Sequence, residues 1–160
     1  MRYLGWRTKQ TTDCFLVKGN QILLAMKKRG LGTGYWNGVG GKLLPGETVE
    51  QAAIREAEEE IGVTPLALRQ VGEILFLFPT DKSSESRCAI FLCDAWEGEP
   101  AETDEMAPLW FSVDDIPYDE MWESDARWLP EILAGHKLRV TVVVGENDKV
   151  IDYSCSPFQG

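Results

Sequence analysis

Residues 41–63, GKLLPGETVEQAAIREAEEEIGV, constrain this chain more than any other stretch. Pro45-Gly46 marks a turn, Thr48 can cap a helix, and Gln51 three residues later completes a capping box. The pattern predicts a helix over 49–61, closed by Gly62 in a left-handed position and barred from continuing by Pro65. At about 100° per residue, Glu56, Glu59 and Glu60 stand at i, i+3 and i+4 and share one face. Ala53, Ile54, Ala57 and Ile61 form a neighbouring apolar stripe that can seat the helix on a sheet, with Glu58 towards solvent. Like charges on one face repel, and near a helix C-terminus they also oppose the macrodipole. A hard divalent cation answers that charge, because Mg²⁺ takes oxygen ligands and keeps waters and substrate phosphates in its shell. Arg55, four residues before Glu59, can pair with one carboxylate and orient it. A solvated acidic face has the same composition, so the spacing must decide between them.

The rest of the chain reads as strands. Residues 13–18 and 21–26 predict a hairpin around Gly19-Asn20, followed by a glycine-rich loop over 29–42. Strands are expected at 71–78 and 87–95, joined by a polar loop, and at 107–112. A short helix is expected over 125–134, stopped by Gly135 and made imperfect by Pro130. A hairpin around residues 145–148 ends the chain. Strands with two helices indicate a mixed α/β domain, and 160 residues suffice for one such core without disulfide staples.

Charge narrows the partners. Sixteen Lys and Arg against 26 Asp and Glu give −10, a surface that repels polymeric DNA or RNA and anionic membranes. No apolar run approaches the roughly 20 residues of a transmembrane helix, and the first residues hold no secretory signal. The four cysteines, Cys14, Cys88, Cys93 and Cys155, lack CxxC spacing and read as reduced thiols of a cytoplasmic protein. The one histidine, His136, reads as a solvent-facing residue at a helix end.

The spacing of the carboxylate segment is G-x5-E-x7-R-E-U-x-E-E-x-G-U, with U aliphatic. Gly41, Glu47, Arg55, Glu56, Glu59, Glu60 and Gly62 fill every fixed letter; Val63 and the smaller Ala57 fill the aliphatic places. This is the Nudix box, and the chain resembles a Nudix hydrolase. The stretches MKKRGLGTGYWNGVGGK, DEMAPLWF and DDIPYDEMW extend the likeness over most of 12–155, towards the MutT-homologue branch of that family.

The resemblance implies an α/β Nudix fold over 1–160: an α/β/α sandwich with a mixed β-sheet and the Nudix-box helix. It implies a Mg²⁺-dependent hydrolase, with Mn²⁺ as a substitute, in which water attacks phosphorus. The branch turns oxidised purine nucleoside triphosphates, 8-oxo-dGTP above all, into the monophosphate and pyrophosphate. By the same likeness Gly40, Glu56, Glu59, Glu60 and Glu105 surround the metal. Glu59, Glu60 and Glu105 are alternatives for the general base, Arg55 is their positioning partner, and Glu47 braces the loop. Asn37, Trp122 and Asp125 match base-reading residues. Thr12, Phe76, Phe78 and Lys27 match the pocket lining, and Lys42 a group beside the phosphates.

Residue chemistry agrees with part of this. A carboxylate such as Asp125 accepts guanine's N1 and N2 donors, an amide such as Asn37 serves O6 or N7, and Trp122 offers a stacking face. On pattern alone, Phe76, Phe78, Trp36, Trp110 and Trp128 read as packing residues, and Asp125 as a helix cap. Three positions depart from the branch. Ser124-Asp125 replaces two adjacent aspartates, Leu31 a pocket phenylalanine, and Glu123 a proline. Losing one of two carboxylates predicts a bias towards 8-oxo-guanine nucleotides over 2-hydroxy-adenine nucleotides. Rival expectations are a Nudix pyrophosphatase for ADP-ribose, a dinucleoside polyphosphate or a methylated purine nucleotide, with Pro79 a weak pointer to the first. A non-catalytic nucleotide-binding module is a third. The expected partner is a small nucleotide acting on a monomer.

Overall fold

A computed structural model of the chain describes residues 7–80 and 84–159. Its strands are β1 (Arg7–Lys18), β2 (Gln21–Lys27), β3 (Trp36–Asn37), β4 (Thr64–Pro65), β5 (Leu68–Phe78), β6 (Ser84–Cys93), β7 (Trp96–Glu97), β8 (Met106–Ser112), β9 (Leu138–Val144) and β10 (Val150–Pro157). The helices are α1 (Val49–Ile61) and α2 (Asp125–Leu133). The main sheet runs β10-β9-β5-β6-β1-β2-β3, with β8 also on β2. It is mixed: β1 pairs β6 and β5 pairs β9 in parallel, and the other pairs are antiparallel. A second small sheet joins β4 to β7.

Strands apolar on both faces need cover on both. Phe15, Ile22, Leu24, Cys88 and Ile90 pack with Trp128, Leu129 and Ile132 of α2. Their sequence neighbours Cys14, Leu16, Leu23, Ala25, Ala89 and Phe91 pack with Ala53, Ala57 and Ile61 of α1. The period of two thus sends alternate residues to opposite helices, and the expected α/β/α layering is the observed one.

Helix α1 keeps its expected bounds. The Gln51 N–H donates to Thr48 Oγ1 at 3.1 Å and the Thr48 N–H to Gln51 Oε1 at 3.0 Å. Gly62 ends the helix at φ 74°, a left-handed conformation that costs a side-chain-bearing residue. Its seated stripe is Ala52, Ala53, Ala57 and Ile61; Ile54, expected in it, lies half-buried at the rim. In α2, Pro130 lies inside the helix, and Ser124 makes no side-chain capping bond.

One strand is longer than its sequence pattern. Residues 7–12 are too polar to read as strand, yet they pair in parallel with β6 from Arg7↔Ser84 to Leu16↔Cys93. That pairing across distant segments leaves no local signature. It also splays the hairpin: β1 and β2 pair only at Val17↔Ile22 and Lys18↔Gln21 before β2 turns away with β8. The glycine-rich segment fills the fork. Cys14 and Val39 exchange N–H···O bonds of 2.7 and 2.9 Å, and the Thr12 N–H donates to Gly41 O at 2.9 Å.

The polar loop expected after β5 lies partly outside the described residues, and β6 begins at Ser84 rather than at 87. The opening residues, read as free of a secretory signal, also fall partly outside them. Among the described residues no helix is long and apolar enough to cross a membrane. Cys14, Cys88 and Cys93 are buried free thiols, Cys155 is an exposed one, and His136 is exposed as expected.

Candidate active site

The segment that fills the fork joins two features. On one side it meets α1. The Gly40 N–H donates to Glu60 Oε1 at 2.8 Å. A β-carbon on Gly41 would stand 2.7 Å from Glu56 Oε1, and one on Gly40 would overlap the Thr12 carbonyl, so close approach requires both glycines. Glu60 is 2% exposed, and burial pushes its carboxyl up to about 8. The Gly40 N–H and Lys27 oppose that rise, while the charges of Glu56 and Glu105 add to it. Burial also raises Glu56, against Arg55 and with Glu59 and Glu105.

Arg55 organises the cluster. Its Nε and Nη2 donate to the two oxygens of Glu47 at 2.7 and 3.0 Å, a bidentate fork that a lysine cannot reproduce. Its Nη1 donates to Glu56 at 2.9 Å and Glu59 at 3.3 Å, and Nη2 also reaches the Lys42 carbonyl at 3.0 Å. The Arg55 hydrogen bond and the Leu44 N–H hold the Glu47 carboxyl below its ordinary range. Glu47 therefore ties the loop at Leu44 to the helix. Glu105 comes from the turn before β8, half-buried, with Arg29 at 3.3 Å.

Among the described residues, no group of three or more His, Cys, Asp or Glu is gathered into a closed metal cage. Mg²⁺ does not need one, since it is held by one or two carboxylates, waters and substrate phosphates. Glu60, buried, feels the charge of Glu56, Glu56, half-buried, feels that of Glu59, and both feel Glu105, which is the electrostatic demand a divalent cation meets.

On the other side of the segment opens a cavity of about 260 Å³. Thr12, Lys27, Asn37, Lys42, Phe76, Phe78, Trp122 and Asp125, all expected at a substrate, line it together with Leu31, Gly40 and Gly41. Asn37 donates its amide N–H to the Tyr35 carbonyl at 2.8 Å, which fixes the amide. Trp122 meets Tyr35 edge-on, with ring centroids 5.0 Å apart. Phe76 and Phe78 stack at 6.3 Å and are half-buried. They pack on the core and face the cavity at once. Trp128, read as core, is 1% exposed and also floors the cavity. Asp125 is buried in the first turn of α2, and no side-chain capping bond is made there. Burial raises its carboxyl to about 7, with the N–H groups of Trp122 and Trp128 pulling down. Pro79 is exposed and outside the lining, and Glu123 is turned to the C-terminal hairpin, accepting the Val150 N–H at 3.0 Å.

Asp13 is a charged lining residue that sequence reasoning missed. The strand expected over 13–18 begins at this residue. With β1 starting at Arg7 it is a mid-strand carboxylate one step from Phe15 on the same face, which is the signal that could have found it. Burial, then the charge of Asp125, push its carboxyl well above the ordinary range, and Lys27 opposes them.

A sheet clasped by two helices, with a box of glutamates against one edge of a glycine-rich segment, defines the class. The chain matches the NUDIX domain over residues 7–132 and belongs to that family. Over 126 residues it is 48% identical to the oxidized purine nucleoside triphosphate hydrolase of Danio rerio, covering 79% of this chain and 80% of that one. Over 143 residues it is 39% identical to the protein of the same description from Mus musculus, covering 89% and 91%. The crystal structure of a MutT protein from Bacillus halodurans aligns with a TM-score of 0.81 over 94% of this chain and 99% of that one. At 24% identity that likeness is one of fold. Nudix hydrolases use divalent metal ions, usually Mg²⁺.

Proposed function

We propose that this protein hydrolyses oxidised purine nucleoside triphosphates, 8-oxo-dGTP first among them, to the monophosphate and pyrophosphate, with Mg²⁺. The observation that carries the reading is the adjacency of one cavity, holding Asn37, Trp122 and Asp125, to the box carboxylates across Gly40-Gly41. Two vertebrate relatives named for this activity, at 48% and 39% identity, support it.

In this reading the base enters between Trp122 and the Phe76–Phe78 wall, Asn37 and Asp125 take its polar edges, and the phosphates lie along Gly40 to Lys42. Glu56 and Glu60 would hold the cation, with the Gly40 carbonyl and Glu105 beside it. When bound there, the ion would supply neutralisation of phosphate charge and a more acidic water. Arg55 keeps Glu56 and Glu59 aimed by hydrogen bonds from its Nη1. Of the three alternatives for the base, Glu60 is buried on the Gly40 N–H, whereas Glu59 and Glu105 reach solvent and can take a proton from the attacking water. The protein works as one domain, on a free nucleotide, in the cytoplasm.

Pyrophosphate release with Mg²⁺ on 8-oxo-dGTP, 2-hydroxy-dATP, dGTP and ADP-ribose tests this, with Glu59→Gln as the control. A large preference for 8-oxo-dGTP, abolished in the variant, is expected. Activity confined to ADP-ribose or unmodified dGTP overturns the pocket assignment and leaves the box intact.

A further inference from the structure

The cavity contains polar groups that the reading above does not use. Asp13 rises from β1 beside Asn37 and Gly38, and a β-carbon on Gly38 would overlap its carboxyl, so the glycine makes room for it. The carboxyl makes no hydrogen bond or ion pair within the described residues. Another lining group, the Thr12 hydroxyl, is buried without a hydrogen bond. Desolvated polar groups left unpaired are costly, so a ligand that pairs them binds selectively. With Asp125 on α2, the cavity offers two carboxyl acceptors from two different elements, and one orphaned hydroxyl.

That inventory fits an oxidised guanine better than guanine. Guanine has one carbonyl, O6, one donor edge at N1 and N2, and a bare acceptor at N7. Oxidation at C8 adds a second carbonyl and puts a proton on N7, giving two carbonyls and two donor edges. With N1 and N2 assigned to Asp125, the second acceptor remains for N7–H.

We infer that Asp13 is a specificity-determining residue of this pocket: a carboxyl oxygen accepts the N7–H of 8-oxoguanine, a bond that the bare N7 of guanine cannot supply. The chain thereby places its second base-reading carboxylate on β1, where Ser124 has removed one from the start of α2. This rests on the proposed oxidised-purine activity and extends it.

Binding of 8-oxo-dGMP and of dGMP, measured by calorimetry without metal, tests the inference apart from catalysis. The proteins are the native chain, Asp13→Val, which removes the acceptor and suits a strand, and Asp13→Asn, whose amide can donate to a bare N7. Thermal melting of each shows whether it is folded. Loss of a hydrogen bond to a charged or desolvated group costs affinity by about tenfold or more. The preference for 8-oxo-dGMP is expected to fall by that factor in both variants, with dGMP binding unchanged or tightened. Equal weakening of both nucleotides assigns Asp13 a structural role and overturns the inference. A preference unchanged in folded Asp13→Val, which has no acceptor there, also overturns it. A native chain with no preference overturns the proposed function as well, which distinguishes the two failures.

Discussion

Asp125 shows how burial turns an ordinary residue into a reader of bases. It is 7% exposed, and its carboxyl titrates at about 7 instead of near the 3.8 of an exposed aspartate. The sign follows from proton linkage. Between those two values the unfolded chain has released a proton that the folded chain still holds, so stability falls as pH rises. Below both values the group contributes no pH dependence. Asp125→Asn removes this one contribution. The melting temperature of the native protein should therefore drop relative to that of the variant from pH 4 to pH 7, with no further divergence above pH 8. Parallel melting curves across that range would show that Asp125 ionises normally in the fold. Glu60, raised by burial, imposes the same downward trend on native and variant alike, whereas Asp13 loses in the variant the part of its rise that the charge of Asp125 supplies.

Helix α1 is the element on which sequence and structure agree most closely. Cap, apolar stripe, carboxylate face and left-handed stop all lie within 16 residues of chain, from Thr48 to Val63, so local chemistry specifies them. The reciprocal bonds of Thr48 and Gln51 satisfy N–H groups at the helix start. Thr48→Ala should destabilise the protein by about 1 kcal/mol in urea unfolding. The 260 Å³ cavity lies beyond the fork and is lined by neither Thr48 nor Gln51, so the variant should keep its nucleotide preference. Helix α2 was legible as a span, expected over 125–134 and observed over Asp125–Leu133. Its N-terminus lacks a side-chain cap and it carries Pro130, so tertiary packing of Trp128, Leu129 and Ile132 defines it.

Across the whole molecule, α1 brings carboxylates to one side of the fork and α2 brings the base pocket to the other. The fork exists because β1 leaves β2 after two residue pairs to run along β6. Glycines at 38, 40 and 41 then let the intervening segment approach both sides. A cation bound to Glu56 and Glu60 would relieve the like-charge repulsion that, added to burial, raises both carboxyls. Added Mg²⁺ should therefore raise the melting temperature more at pH 8 than at pH 5, where protons already neutralise Glu60. Chelation should abolish hydrolysis, with recovery on Mg²⁺ addition. A melting temperature indifferent to Mg²⁺ at pH 8 would separate these carboxylates from metal binding.

The residues by themselves determined the carboxylate helix, the mixed α/β class and the members of the Nudix box, because helix periodicity and capping act over a few residues. They also pointed to Asn37, Trp122 and Asp125, through resemblance and through what each side chain can bond. Only the tertiary structure decided that residues 7–12 extend β1, that Asp13 thereby faces the cavity, and that Trp128 serves core and cavity together. Parallel pairing joins segments more than 70 positions apart, such as Arg7 and Ser84. No local pattern encodes which distant strand satisfies those backbone groups, or which side chain the pairing turns inward.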